Sequence, residues 1–406
     1  MPEKIVVNHL YKVFGSQPER AMDMLRAGQT KDQILAQTGM VVGVRDANFT
    51  VNEGEIFVLM GLSGSGKSTL IRLLNRLVEP THGQVLLGGQ DVAAMSKKAL
   101  IELRRKDLAM VFQSFALLPH LSVLHNTAFG LEVAGVDKKG RERRAMEVLD
   151  QVGLRTFAYQ MPAALSGGMQ QRVGLARALA VDPSLMLMDE AFSALDPLKR
   201  TEMQELLLQL QKDQQRTIVF VSHDLDEAFH IGNRIAIMEG GRIVQIGTPD
   251  EILRNPSDAY VRAFFKGVDV KKYLLAQDVA RSDEVLRIHP TADARADMTH
   301  AAAQLRQSGQ SHAFVVAEDG RWQGGVSLDG LLRGLDSGST SLQSLYLEGI
   351  APVAASLSLN ALIGRIVQQP LPLPVLDAHQ RYLGAVTQTV LLKKMVDLDL
   401  QESRDE

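Results

Sequence analysis

Two apolar rhythms alternate along the first two-thirds of the chain. Short apolar-rich runs read as strands: IVVNHLYKVF near the start, EIFVLM from Glu55 to Met60, SLMLM from Ser184, and IVFVS from Ile218 to Ser222. Between them lie segments such as TLIRLLNRL and GMQQRVGLARALA, whose apolar residues recur at helical spacing. Strand and helix keep alternating to about Phe265, which predicts an α/β unit over residues 1–265. RIAIMEGGRIVQIG reads as a hairpin turning at Gly240 and Gly241, and Thr248, Pro249 and Glu251 open a capped helix after it. An insertion separates the first two strands. Pro18, a stop at Gly28, and a capping box of Thr30 and Gln33 predict a helical hairpin over 16–39.

Beyond Lys266 the texture changes, and a repeat appears. VVAEDGRWQGGVSLDGLL from Val315 matches PVLDAHQRYLGAVTQTVLL from Pro374, pairing Trp322 with Tyr382, Gly324 with Gly384, Val326 with Val386 and Ser327 with Thr387. Two hairpin-plus-helix units therefore form a smaller α+β domain over 282–398, with 266–281 as linker.

The 406-residue length suits such a division. A net charge of -3 offers no basic stripe, so no nucleic-acid partner is expected. The absence of cysteine removes thiolate metal sites and cysteine nucleophiles. Leu108 to Leu131 carries no charged residue and is long enough to span a bilayer. Gln113, Ser114, Pro119, His120, Ser122, His125, Asn126 and Thr127 would lack partners in hydrocarbon, so this stretch is not expected to cross one. With no signal peptide evident, a cytoplasmic location is expected.

Three elements carry chemistry. GLSGSGKS, Gly61 to Ser68, satisfies the phosphate-loop pattern and lies between a strand and a helix, as that pattern requires. Its backbone N–H groups can curl round phosphate oxygens while Lys67 adds a point charge and Ser68 a magnesium ligand. The candidate nucleotide-binding positions are Gly61, Ser63, Gly64, Ser65, Gly66, Lys67, Ser68 and Thr69. In SLMLMDE a strand ends in two carboxylates; alternation along the strand would separate Asp189, for the magnesium shell, from Glu190, to polarise water. LSGGMQQRVGLARALA then offers a second anion-binding helix start at Ser166, Gly167 and Gly168. Taken singly, these are a glycine turn, a strand end and an N-capped helix. Their order makes a nucleotide site.

LSGGMQQR resembles the signature motif of ABC-type ATPases, and the resemblance covers about the first 265 residues. It implies a P-loop ABC nucleotide-binding domain with a helical subdomain, binding ATP and Mg2+. Residue by residue, it makes Phe14 the aromatic that stacks on adenine, although a core role suits a phenylalanine equally well. Gln113 becomes a glutamine that reaches magnesium or the attacking water. Ser193 to Asp196 becomes the loop crossing a dimer interface, and His223 the switch histidine at the γ-phosphate. Glu190, His223 and Gln113 are thus the expected catalytic set, and Ser68, Gln113 and Asp189 the metal set. The resemblance further implies a head-to-tail homodimer sandwiching two ATP molecules, with the stretch around Phe115 to Leu118 in a groove for an integral-membrane permease.

The strings MGLSGSGKSTLIRLLNRL, MVFQSFALLPH and LMDEAFSALDPL, with the insertion and the tail repeat, look like the ATPase of glycine betaine and proline betaine importers. That likeness implies osmoprotectant uptake, peripheral attachment to the cytoplasmic face of the inner membrane, an external substrate-binding protein, and a tandem of CBS modules over 282–398. Choline or carnitine is the alternative cargo. ABC ATPases without a membrane partner are the alternative class, but they predict coiled-coil insertions, zinc cysteines or a second cassette. Gly330 and Val390 stand where nucleotide-binding CBS modules commonly carry Asp, so the tail is read as a salt sensor or a dimer support. On this reading, removing residues from about Met298 onward should spare ATP hydrolysis and alter its salt response.

Overall fold

The computed structural model describes residues 2–265, 272–369 and 371–404, with 397–404 as helix backbone only. Residues 266–271 of the expected linker lie outside the described residues. The chain divides into two compact units between Arg262 and Ala263. The first begins with β1 (Glu3–Phe14), then α1 (Pro18–Arg26), α2 (Lys31–Thr38) and β2 (Val41–Asn52), which pairs antiparallel with β1. There follow β3 (Ile56–Gly61), α3 (Lys67–Leu74), β4 (His82–Leu87), β5 (Gln90–Asp91), α4 (Lys97–Lys106), β6 (Leu108–Phe112), α5 (Val123–Val133), α6 (Lys138–Gln151), α7 (Gly167–Ala180) and β7 (Leu185–Asp189). The unit continues through α8 (Pro197–Gln214), β8 (Thr217–Ser222), α9 (Leu225–Ile231), β9 (Arg234–Glu239), β10 (Arg242–Gly247) and α10 (Pro249–Arg254), and α11 (Ala259–Phe264) crosses the division.

Two sheets form this unit, ordered β2-β1-β4-β5 and β10-β9-β3-β8-β7-β6. In the second sheet β3 pairs in parallel with β8 and β9, and β7 with β6 and β8. Every residue of β3, β7 and β8 is buried, which is why their sequences run apolar without alternation. β1 and β2 instead bury residues in a broken alternation, and Ile5, Val7, Leu10, Val44 and Val51 join β3, β7, β8 and α3 in one core. The parallel-stacked rings of Phe49 and Phe57, 5.2 Å apart, join β2 to β3 in that core.

Thr30 and Gln33 form the capping box that starts α2. Ala21, Met22, Leu25 and Ile34 pack on Val13, Met40 and Val42, giving the α1–α2 hairpin its own small core on the ends of β1 and β2. The uncharged stretch from Leu108 is divided between β6, a loop and α5, and among the described residues no helix is long and apolar enough to cross a membrane.

The second unit contains α12 (Ala276–Val279), β11 (Leu286–Ile288), α13 (Ala294–Ser308), β12 (His312–Val316), β13 (Trp322–Ser327) and α14 (Leu328–Asp336). After them come β14 (Val353–Ala354), α15 (Leu359–Gln368), β15 (Leu373–Leu376), β16 (Tyr382–Val386) and α16 (Gln388–Arg404). Its sheets β11-β12-β13 and β14-β15-β16 have the same design, a parallel pair followed by an antiparallel one. Val315 faces Gly324 as Val375 faces Gly384, and both hairpins shift register one residue later. The copies meet where Arg321 bridges to Arg381 and the Tyr382 N–H donates to Gly320 O at 2.9 Å. A cut at Met298 would fall inside this unit: Met298 is fully buried in α13, in one core with Ile288, Ala313 and Val315. A deletion from Met298 onward would leave β11 without its partner strand, so it would remove this unit only in part.

Candidate nucleotide site

Parallel pairing brings the chemistry to one end of the sheet. Met60 lies beside Ser222, Asp189 beside Val221, and Phe112 beside Asp189. The chain therefore leaves β3 into the phosphate loop, β8 into His223, β7 into Glu190 and β6 into Gln113 at the same edge. Carboxyl ends of parallel strands are where α/β sheets form their ligand crevice.

The loop from Gly61 to Gly66 fits between β3 and α3 because two glycines supply geometry that other residues resist. Gly64 (φ 77°) has open space where a Cβ would stand. At Gly66 (φ 105°) a Cβ would fall 2.3 Å from Gly43 O, so the loop backbone lies directly on β2. The Gly241 N–H donates to Ser65 O at 2.9 Å, so the β9–β10 turn supports the loop from another side. Lys67 is buried; its Nζ donates to Gly61 O (2.7 Å) and Leu62 O (3.0 Å), arching over the loop. Burial lowers its pKa, opposed by the nearby carboxylates of Glu190 and Asp189. Leu62, Ser63 and Gly64 are exposed, Ser65 is buried with an unpartnered hydroxyl, and Ser68 and Thr69 are half-buried on the first turn of α3.

Asp189 ends β7 in the core. Arg72 of α3 donates to its Oδ2 at 3.2 Å, while Oδ1 is buried without a partner. Glu190 has already left the strand, with φ at 47°. Strand alternation was expected to separate the two carboxylates; the separation comes instead from this left-handed backbone, a conformation that costs a residue with a Cβ of order 1 kcal/mol. Glu190 Oε2 receives a hydrogen bond from Gln113 Nε2 at 3.2 Å and lies 3.5 Å from His223 Nδ1. Gln113 Nε2 also donates to Ser193 Oγ at 3.2 Å, and that hydroxyl donates to Glu190 O at 3.0 Å. Glu190, Gln113, His223 and Ser193 thus form one polar cluster next to Asp189.

Other expected positions stand apart from this cluster. Ser166 is the N-cap of α7, accepting from Met169 N–H at 3.4 Å. A Cβ on Gly167 would meet only Phe115, and one on Gly168 only the Lys199 side chain. Asp196 is the N-cap of α8, accepting from Lys199 N–H at 3.0 Å. Phe14 is 40% exposed, with Lys12 Nζ 5.0 Å from its ring centre and its edge against Gly43 beside Thr69. That excludes the core role. Phe115 to Leu118 do not line the apolar concavity near α5; that space, about 310 Å³, is bounded by residues including Leu77, Phe112, Phe129 and Val133. Arg177 instead holds the Phe115 carbonyl at 3.2 Å against α7.

Sequence reasoning missed Arg72, Gly43 and Gly241. None carries a motif, since each acts by position against the loop or the carboxylate.

A protein-family model described as ABC transporter matches residues 44–193. The glycine betaine/proline betaine transport system ATP-binding protein ProV of Escherichia coli is 49% identical over 97% of this chain and 98% of its own length. The glycine betaine transport ATP-binding protein OpuAA of Bacillus subtilis is 46% identical over 96% of this chain and 92% of its own. Among solved structures, the dimeric bacterial ABC transporter cassette MJ0796 is 30% identical, with a TM-score of 0.52, over 60% of this chain and 98% of that one. Phosphate loop, acidic strand end and signature helix lie in one unit of a chain that aligns almost end to end with the two betaine transport ATP-binding proteins, and the chain belongs to the ABC transporter ATP-binding proteins of the glycine betaine transport family.

Proposed function

We propose that this chain hydrolyses ATP to drive import of a quaternary amine, glycine betaine or proline betaine, through a separate membrane permease. The observation that carries the motor is the Glu190 carboxylate, gathered with Gln113, Ser193 and His223 at the mouth of the phosphate loop. Backbone N–H groups of the loop and Lys67 bind the phosphates, Phe14 offers its exposed face to the adenine, and Thr69 and Ser63 border the triphosphate. Glu190 accepts the proton of the attacking water, and His223 donates a hydrogen bond to the γ-phosphate. The unpartnered Asp189 Oδ1, the Ser68 hydroxyl and the Gln113 carbonyl oxygen would hold Mg2+, a donor set suited to an ion that arrives with phosphate oxygens. When bound, the ion neutralises charge developing on those oxygens.

Ser166, Gly167 and Gly168 have Phe115 and Lys199 as neighbours within their own chain. They serve the phosphate loop of a second copy, with the turn before Asp196 between the two, so the working form is a homodimer. The concavity near α5, with Leu77 and Val133 about half exposed, receives the permease. The assembly lies at the cytoplasmic face of the inner membrane and takes substrate from an external binding protein, with no nucleic acid involved.

The names of the relatives support the cargo. In vesicles carrying this chain, its permease and binding protein, radiolabelled glycine betaine should accumulate only with ATP, and proline betaine should compete. Hydrolysis without betaine uptake would discard this cargo, with choline or carnitine next to be assayed, and retain the motor.

The second unit is a tandem CBS-like regulatory module over 282–398. Ser327 and Thr387 hydroxyls accept from the Gly330 and Val390 N–H groups at 3.0 and 3.1 Å, so they cap α14 and α16. Exposed charge interactions weaken as the Debye length falls from ~10 Å at 0.1 M salt to ~3 Å at 1 M. A chain ending at Phe265 should keep its ATPase activity and lose the salt response of the transporter; an unchanged response would leave the tail a support only.

A further inference from the structure

The turn that carries His223 is held by groups that the hydrolysis chemistry does not itself use. Ser222, buried at the end of β8, reaches across His223: its Oγ accepts from Asp224 N–H at 2.9 Å and lies 3.2 Å from Asp224 O. That small ring fixes the backbone on both sides of the histidine. Glu227, also buried, lies behind it on α9; its Oε2 is hydrogen-bonded to Ser222 Oγ, and its Oε1 accepts from Gln204 Nε2 at 3.2 Å. Gln204 belongs to α8, the helix that Asp196 caps. A second strut runs parallel to the first: Arg200 of α8 donates to Asp224 Oδ2 at 2.6 Å and to Leu195 O at 3.4 Å.

We infer that Glu227 is a positioning residue for ATP hydrolysis, anchoring the Ser222 hydroxyl that sets the His223 turn and tying that turn to α8 and the Ser193–Asp196 loop. The inference rests on the assignment of His223 to the γ-phosphate. Ser222 has a single hydroxyl proton and two acceptors within reach, Asp224 O and Glu227 Oε2. Burial pushes the Glu227 carboxyl above the ordinary glutamate range, against the hydrogen bonds from Ser222 and Gln204. The Ser222 hydroxyl donates to Glu227 Oε2 while its oxygen accepts from the Asp224 N–H, so the buried carboxyl holds the serine in the rotamer that spans the turn.

Glutamine keeps the size of the side chain and can hydrogen-bond both Ser222 and Gln204, whose amide can turn to suit; alanine keeps neither bond. The test is steady-state hydrolysis by the full chain with its permease. Glu227→Ala should lower kcat by ~10- to 10²-fold while KM for ATP holds, since displacement of a catalytic group without loss of substrate contacts acts on turnover. Glu227→Gln should recover most of that loss. Ser222→Ala, a small change that spares the fold, should mimic Glu227→Ala, and the pair together should be no worse than either. In a His223→Ala background Glu227→Ala should cost nothing further. A further loss there, or failure of Glu227→Gln to rescue, overturns the positioning role while leaving His223 in place. A fully active His223→Ala overturns the inference together with the assignment beneath it.

Discussion

Glu190→Gln should bind ATP as the wild type does and hydrolyse it ~10²-fold more slowly or worse. The substitution is nearly isosteric, and the amide oxygen can still accept the hydrogen bond that Gln113 Nε2 gives to Oε2 at 3.2 Å. The left-handed backbone at position 190 is also available, since the Ser193 hydroxyl holds the 190 carbonyl whichever side chain stands there. What the amide cannot do is take a proton. The change therefore isolates base strength from architecture, and an ATP-loaded dimer that cannot hydrolyse should persist. Phosphate release measures the first effect, and ATP-dependent dimerisation by light scattering measures the second. A variant that hydrolyses ATP at the normal rate would remove Glu190 as base and leave Gln113 and His223 to orient a water that needs none.

Much of this site could be read from the sequence because each part announces itself locally. GLSGSGKS needs its glycines for the loop and its lysine for the phosphates, and both belong to one continuous segment. The adjacency of Gln113 to Glu190 is different: the residues are 77 positions apart, and only the register that sets Phe112 beside Asp189 brings them together. No pattern in either segment encodes that register. Strand alternation was a sound basis for separating Asp189 from Glu190, yet it ends with the strand, and the left-handed turn at Glu190 decides where its carboxylate goes. Arg72 reads as an ordinary helix arginine until Asp189 appears opposite it. In the tail, Trp322, Gly324 and their counterparts repeat clearly because the hairpin needs an aromatic for the shared ring cluster and a glycine for close approach. β11 and β14, three and two residues long, are too short for any period to register.

Lys67→Ala should weaken ATP binding by about 10²-fold, the equivalent of losing one charge-assisted contact of some 1.5–3 kcal/mol to a desolvated phosphate. The same change should leave the stability of the nucleotide-free chain close to that of the wild type, because two effects oppose. Alanine gives up the hydrogen bonds from Nζ to Gly61 O and Leu62 O, leaving the Leu62 carbonyl to find water and the buried Gly61 carbonyl without that donor. It also removes a buried cation whose pKa is lowered chiefly by desolvation, with Glu190 and Asp189 only partly compensating. The sign follows from proton linkage. A lysine whose folded pKa lies below its unfolded value binds its proton less readily in the folded chain, so its charge costs stability at every pH below the folded pKa, and the cost fades as pH rises through the unfolded value. Wherever the folded lysine keeps its charge the wild type carries that cost, and the alanine variant does not. Titration with a fluorescent ATP analogue and a thermal melt at pH 7 separate the two readings of Lys67. Lost affinity with an unchanged Tm makes it a phosphate ligand held ready at some expense to the fold. Lost Tm with retained affinity makes it a clasp for the loop, and the phosphates must then be held by the backbone N–H groups alone.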